Sequence, residues 1–408
     1  METGRVQRNP EAPESPQQPR SGRDLDREAA ERLDEIRQHF KDLYARRDVI
    51  ARTTTASGQE LDWIPAESQA AGALAEPPAL EHTELVRDAD RPSQSPPFEL
   101  AAPGNEPGPP GTVPVLRKPL DRVSPAGTLQ DYLAKGIRAK RSTPPDDPGP
   151  ATPSASDAVH KYAHASQSVV NFGTEGIINT WRPYVQWSNE FSLGQLWVVR
   201  GGGAGLQTVE VGAQTYFDLY NDWNPHLFIF FTTNGYTQGG NDLGGYNTDV
   251  TGWVQRSSVA YPGMRLAESI LGGDQYELSL KVTLSLGNWW VRVGNEWMGY
   301  YPNGLFNSGG LRDQAATVDW GGEIVDDVAN HPEPTATWMG SGHFPFEGWQ
   351  HAAYMRNLAY QTDAVGTMAA MQGYPSVTNP NAYQIAADFS GASTWGSYFY
   401  WGGPGGVA

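Results

Sequence analysis

From Val159 onward, apolar positions recur in short alternating or continuous runs, broken by glycine, asparagine and proline about every ten residues. Examples are GQLWVVRGGG, HLFIFFTTNGY, YELSLKVTLSLGNWWVRVG and EWMGYYPNG. Side chains on a strand alternate between faces, so such runs predict buried or half-buried β-strands. Many short strands at this spacing predict an antiparallel sandwich or barrel. Only Thr362 to Gln372 carries a helical period, a weak one, and there is no fixed-period repeat of the kind a propeller needs.

The chain before this point has a different pattern. Residues 1–22 are polar and proline-bearing and read as disordered. In residues 24–50, Leu33, Ile36, Phe40 and Leu43 recur at three- and four-residue spacing, the stripe of a helix that needs a surface to pack on. ARTTTASGQELDWIP gives two extended runs around Ser57-Gly58, a hairpin signal. Residues 23–67 thus read as a helix-and-hairpin unit. Residues 68–158, with PGPPG and TPPDDPGP, read as a disordered proline-rich linker without a core of its own. Residues 159–408 read as a β domain large enough for a sizeable core.

Composition sharpens this division. Residues 1–158 hold 22 of the 32 prolines but only one of the 14 tryptophans, Trp63. Formal charge is −17, and residues 159–408 contribute 9 basic and 20 acidic residues to it, a balance of −11. An acidic domain has no electrostatic footprint for nucleic acid or anionic membrane, so neither is expected as a partner. Protonation of carboxylates at acid pH would relieve its self-repulsion, which fits an acid-working protein. There are no cysteines, hence no disulfide framework and no thiolate site. The opening METGRVQRNPEAPESPQQPR has no apolar core and is not expected to act as a secretory signal.

Two strands carry the candidate chemistry. In QTVEVGAQTY, alternation puts Val209, Val211 and Ala213 on one face and Thr208, Glu210, Gly212, Gln214 and Tyr216 on the other. In TVDWGGEIV, Val318, Trp320 and Ile324 share a face opposite Thr317, Asp319, Gly321 and Glu323. The two glycines before Glu323 allow a bulge that would break this phase. A lone glutamate on a strand is ordinarily a solvated one, and Glu277, Glu296, Asp319 and Glu347 compete as acids in similar surroundings. Other catalytic sets are absent from the sequence. GSGH, with Ser341 and His343, lacks the nucleophile-elbow pattern. HKYAH sets His160 and His164 four apart, which on a helix would suit a metal, but their place at the linker edge favours a surface role. No metal and no cofactor is expected.

Taken in order, HKYAHA, IINTWRPYV, Gln195-Leu196-Trp197, TVEVGAQTYFDLYNDWNPHLFIFFTTNGY, GNWWVRVGNEWMGYYP, VDWGGEIV and MGSGHFPFEGWQHAAYMRN resemble the neprosin domain, the plant-type glutamic endopeptidases that cleave after proline. The resemblance spans about residues 159–360, and TTTASGQELDWIP resembles the core of that family's N-terminal activation segment. It implies a β-sandwich of two antiparallel sheets, a peptide or protein substrate (proline-rich by preference), and secretion as a zymogen whose own N-terminal segment is the inhibitor. By motif, the family's catalytic glutamates correspond to Glu210 in TVEVG and Glu323 in WGGE, with Asp319 in VDWGG as the alternative second acid. Departures from the plant members are the missing cysteines, the absent signal peptide, the longer linker, and GAQTY where a tryptophan usually follows the glycine.

A glutamate pair of this kind would hydrolyse a peptide bond with one carboxylate activating water and the other carboxyl donating a proton. The sequence does not assign the two roles. Gln195 and Gln214 are the candidates to steady the oxyanion, and Trp197, Tyr216 and Trp338 those to form a proline pocket. Two rival readings stand beside this one: a carbohydrate-binding sandwich, and a glycoside hydrolase using the same carboxylates.

Overall fold

The computed structural model describes residues 22–135 and 159–406, apart from positions 71, 80–89, 97, 103–104, 106–107, 124–126 and 329. The reading of residues 1–22 as disordered and of the linker beyond Lys135 lies outside the described residues, Gly22 excepted.

The apolar stripe forms helix α1 (Gly22–Ala45), which buries Ile36, Phe40 and Leu43 against Val123, Leu129 and Tyr132. The hairpin signal is strand β1 (Ala51–Thr54) paired antiparallel with β2 (Glu60–Pro65). Gly58 turns the corner at φ 85°, a conformation glycine adopts without steric cost. A third strand, β3 (Thr112–Leu116), lines the other edge of β2. It lies inside the stretch that its proline content made read as a linker. Pro114 is tolerated there because β3 is an edge strand, and Val113 and Val115 are buried. Helix α2 (Leu129–Leu133) follows, started by a capping box: Asp131 N donates to Thr128 Oγ1, and Thr128 N donates to Asp131 Oδ2.

The remaining strands are, in chain order, β4 (His160–Asn171), β5 (Gly173–Asn179), β6 (Ser192–Arg200), β7 (Gln207–Thr215), β8 (His226–Thr232), β9 (Gly244–Tyr246), β10 (Val254–Gln255), β11 (Glu277–Ser285), β12 (Asn288–Val293), β13 (Glu296–Pro302), β14 (Ala315–Val325), β15 (Ala353–Gln361), β16 (Met368–Ala370), β17 (Tyr374–Val377), β18 (Gln384–Asp388) and β19 (Tyr398–Gly402). They form two antiparallel sheets. One runs β17-β4-β14-β6-β7-β8-β9 and the other β10-β13-β12-β11-β5-β15-β19-β18, with β16 beside β15. The weak helical period near Thr362 is overridden, because Met368–Ala370 find backbone partners on β15. The protein is therefore the expected antiparallel β-sandwich with few helices. Among the described residues no helix is long and apolar enough to cross a membrane.

The two sheets meet through Leu196, Val198, Val209, Val211, Ile229 and Phe231 on one side and Val282, Val291, Val293 and Met298 on the other. On β14, Val318, Trp320 and Ile324 join this core, as alternation predicts. The two glycines do not break its phase. Pairing with β4 and β6 is continuous from Thr317 to Ile324, so Asp319 and Glu323 stay on one face. Gly322 serves packing instead: a Cβ there would lie 2.2 Å from the Trp401 ring.

Candidate active site

Three neighbouring strands set out the floor of the site. Across β14, β6 and β7, Asp319 lies opposite Trp197, which lies opposite Glu210. Two residues along, Gly321, Gln195 and Gly212 form the next row, and Glu323, Leu193 and Gln214 the one after. Side chains at these positions share the face away from the sandwich core. The middle row has a glycine on each side of Gln195, so Glu210 and Glu323 look toward each other across one side chain.

Every residue of β7 is buried. Its core face packs toward the opposite sheet; on its outer face Tyr236, Tyr246 and Tyr220 cover Thr208 and Gln214, and Glu210 meets the N-terminal segment. Just after α2, Lys135 reaches into the floor. Its Nζ donates to Glu210 Oε2 at 2.5 Å, Glu323 Oε2 at 2.6 Å and Gln195 Oε1 at 3.3 Å. One ammonium thus spends its three N–H groups on three acceptors. The two Oε2 atoms, each held by that nitrogen, lie within about 5 Å of one another. Both carboxylates are fully buried, as is nearly all of Lys135.

The partners of the two carboxylates differ. Glu323 Oε1 lies 2.6 Å from His160 Nδ1 and 3.2 Å from the Tyr162 hydroxyl, while Gln195 Nε2 donates to Oε2 at 3.1 Å. Glu210 receives two hydroxyl donors, Tyr236 at 2.7 Å and Thr208 at 2.8 Å, both on Oε1. Its Oε2 faces Lys135. Burial works to raise the Glu323 carboxyl, but Lys135 and then His160 outweigh it and hold the group at about 2. Burial likewise opposes the charge on Lys135, and the two glutamates overcome it, raising the ammonium above its ordinary value. The Tyr236 phenol, raised well above 10 by burial and by Glu210, stays protonated and donates.

Asp319 forms a second pair. Its Oδ1 is 2.8 Å from His164 Nδ1, and the His164 ring stacks on Trp197 at 6.1 Å. Burial raises the Asp319 carboxyl, and Asp319 in turn raises the His164 imidazole against burial. The carboxylate that Lys135 joins to Glu210 is Glu323, while Asp319 is turned toward β4.

Of the other residues singled out by sequence, Gln195 lies between the glutamates. Gln214 does not; it donates to the Tyr246 hydroxyl and accepts from Tyr220. Trp197 is on the floor in register with Glu210. Tyr216 is packed edge-on between Phe191 and Tyr246. Trp338, partly exposed, packs on Tyr184 instead. His160 and His164 are not surface histidines of a linker edge. HKYAH is a strand, and its period of two sends His160, Tyr162 and His164 to the face of Glu323. Among the described residues, no group of three or more His, Cys, Asp or Glu could hold a metal.

Sequence reasoning also passed over Lys135 itself. Its delivery depends on α2: Gln130 Nε2 donates to Gly239 O and Gly239 N donates back to Gln130 Oε1, both at 3.1 Å. Leu133 is buried against Gly239, where a Cβ would lie 2.7 Å from the Leu133 Cβ. Farther back, Lys118 reaches Asp249 and the Tyr132 hydroxyl, and His39 Nε2 lies 2.7 Å from Asp249 O. The Gln59 amide donates to Gly263 O at 2.7 Å. Helix, hairpin and α2 are therefore all fastened to the sandwich.

Among solved structures, the chain is similar to scytalido-glutamic peptidase with a transition-state analog inhibitor, at 10% identity, 59% of this chain, 97% of that one and a TM-score of 0.34. It is similar to SCP-B, a peptidase of the eqolisin family bound to the tripeptide Ala-Ile-His, at 11% identity, 60% and 98% coverage and a TM-score of 0.32. CG-16, a homodimeric agglutinin from chicken liver, is a fainter likeness at 10% identity, 40% and 96% coverage and a TM-score of 0.22. The neprosin family model matches residues 188–404, more than half of the chain and a span that includes Glu210 and Glu323. The chain belongs to the neprosin family of peptidases.

Proposed function

We propose that the protein is an acid-active glutamic endopeptidase that cleaves after proline, made as a zymogen whose own N-terminal segment fills the active site. One observation carries this reading: a single buried ammonium, from a segment docked over the cleft, joins Glu210 to Glu323. A lysine in that position ties up an oxygen of each group and occupies the space a reacting water needs. A lectin has no use for such a cover. Around the glutamate pair the tryptophan is Trp197, which is buried and so offers no exposed face for a sugar to stack on.

With Lys135 withdrawn, a water takes its place between the carboxyls. One carboxylate removes a proton from it as the oxygen attacks the peptide carbonyl carbon. The other carboxyl gives its proton to the carbonyl oxygen; the first then passes the proton taken from water to the leaving nitrogen as the C–N bond breaks, and re-formation of the carbonyl returns the second proton to its carboxyl. Such acid–base contributions are each worth about 10²–10⁴-fold. Gln195 keeps one Nε2 hydrogen on Glu323 and offers its second to the developing oxyanion. Trp197, flat against His164 and beside Glu210, is our candidate for the proline-binding wall, which suits a ring of fixed shape.

The test is peptide cleavage between pH 3 and 6 by Glu210→Gln and Glu323→Gln, with a peptide library reporting the residue before the cut. Loss of turnover by at least a hundredfold in each variant, with proline before the cut, is expected. Near-normal turnover in either removes the dyad, and cuts without regard to proline remove the specificity.

A further inference from the structure

We propose that the two glutamates have fixed and different duties, Glu323 being the water-activating base and Glu210 the proton donor, and that two positioning residues arrange this: His160 holds Glu323 ionised, and Tyr236 occupies Glu210 Oε1, so that the proton sits on Oε2 and is more readily released. The inference rests on the glutamate-pair reading above and goes beyond it by assigning each carboxyl a state and a keeper.

The argument is a count of donors on each oxygen once Lys135 has left. Glu323 keeps donors on both oxygens: His160 and Tyr162 on Oε1, Gln195 on Oε2. A carboxylate accepts on both oxygens, whereas a protonated carboxyl must find an acceptor for one O–H. With donors converging on both atoms, Glu323 is built to stay ionised. Glu210 has its two hydroxyl donors on the same oxygen, Oε1. That pattern suits the carbonyl oxygen of a neutral carboxyl. Its Oε2, which faces only Lys135 among the described residues, is left to bear the proton and is turned toward the place of the reacting water.

The surroundings agree. Strand β4 brings His160, Tyr162 and His164 to Glu323, β9 adds Tyr246, and the N-terminal segment adds Lys135. Glu210 is faced by Lys135, Tyr236 and, on its own strand, Thr208. After Lys135 leaves, the groups able to be cationic near the pair among the described residues are the histidines of β4, on the Glu323 side. Like charges at such a distance do not both ionise readily, and this asymmetry decides which one keeps the proton.

The experiment is the pH profile of kcat/KM on a peptide substrate, with the acid-activated full chain, for His160→Leu, His160→Gln and Tyr236→Phe. Removing His160 weakens the hold on the ionised base, so the acid limb moves up by about one pH unit, and the glutamine, a neutral donor, restores part of it. Removing the Tyr236 hydroxyl lets the donor keep its proton longer, so the alkaline limb moves up while the acid limb stays. Thermal melts of all three identify a variant that does not fold, in which case the milder His160→Gln shift is read. Interchanged limbs would reverse the assignment. An equal loss at every pH would reduce both residues to structural roles. These outcomes are separate from failure of the pair itself, which shows as turnover in Glu210→Gln or Glu323→Gln.

Discussion

Lys135 Nζ lies 2.5 Å from Glu210 Oε2, although the two residues belong to different parts of the chain and are 75 positions apart. The same nitrogen holds Glu323 from a third part of the chain. A buried charge cluster of this kind is weak evidence for stability, because desolvation offsets much of the attraction. In the proposed zymogen its role is to close the site until the segment leaves.

Replacement of Lys135 by methionine keeps the bulk and removes the charge. Breaking one side of a buried ion pair typically costs about 3–5 kcal/mol, since the other side is left uncompensated. Here that cost falls on the covered state alone. Full-length Lys135→Met is expected to cleave a reporter peptide without the lag expected of the wild-type chain. A lag of equal length in both would remove Lys135 as the closing element.

A second prediction concerns the surface that seats α2. Gly239→Ala adds a methyl 2.7 Å from the Leu133 Cβ and close to the Leu133 carbonyl. The contact can be relieved only by moving α2 away. We expect faster activation of the full chain, with kcat/KM of the activated enzyme within about twofold of wild type, measured on the same peptide. Unchanged activation kinetics would show that α2 is not needed to deliver Lys135.

Much of this arrangement was legible in the sequence. Alternation alone put Glu210 on the face opposite Val209 and Val211, and Glu323 opposite Trp320 and Ile324, and both faces are as read. The helix stripe of Ile36 and Phe40 and the turn at Gly58 were equally local signals. Lys135 was hidden because a single lysine in a proline-rich stretch has no pattern of its own. The signal that could have found it is Thr128-Leu129-Gln130-Asp131, a capping box that starts a helix where composition suggested none. His160 and Tyr162 were missed for another reason. HKYAH was weighed as a helical metal spacing, and with a period of two it reads as a strand facing the acids. The pairing of Glu323 with His160 depends on which strands lie side by side, which is set by the whole sheet.

The last prediction follows from the state of Glu323. In the covered form its carboxyl is held at about 2, whereas an unperturbed glutamate is near 4.3. A lowered pKa in the folded state contributes stability that is fully present above about pH 4.5 and is lost as pH falls through about 2. The loss amounts to about 3 kcal/mol at most over that window. In a Glu210→Gln background, chosen because the proposed mechanism predicts no turnover and hence no self-cleavage, the melting temperature should fall between pH 4.5 and 2. Adding Lys135→Met removes the strongest attraction on Glu323 and should flatten that fall. Parallel curves would mean that acid loosens the segment elsewhere, for instance at the buried contact of Lys118 with Asp249.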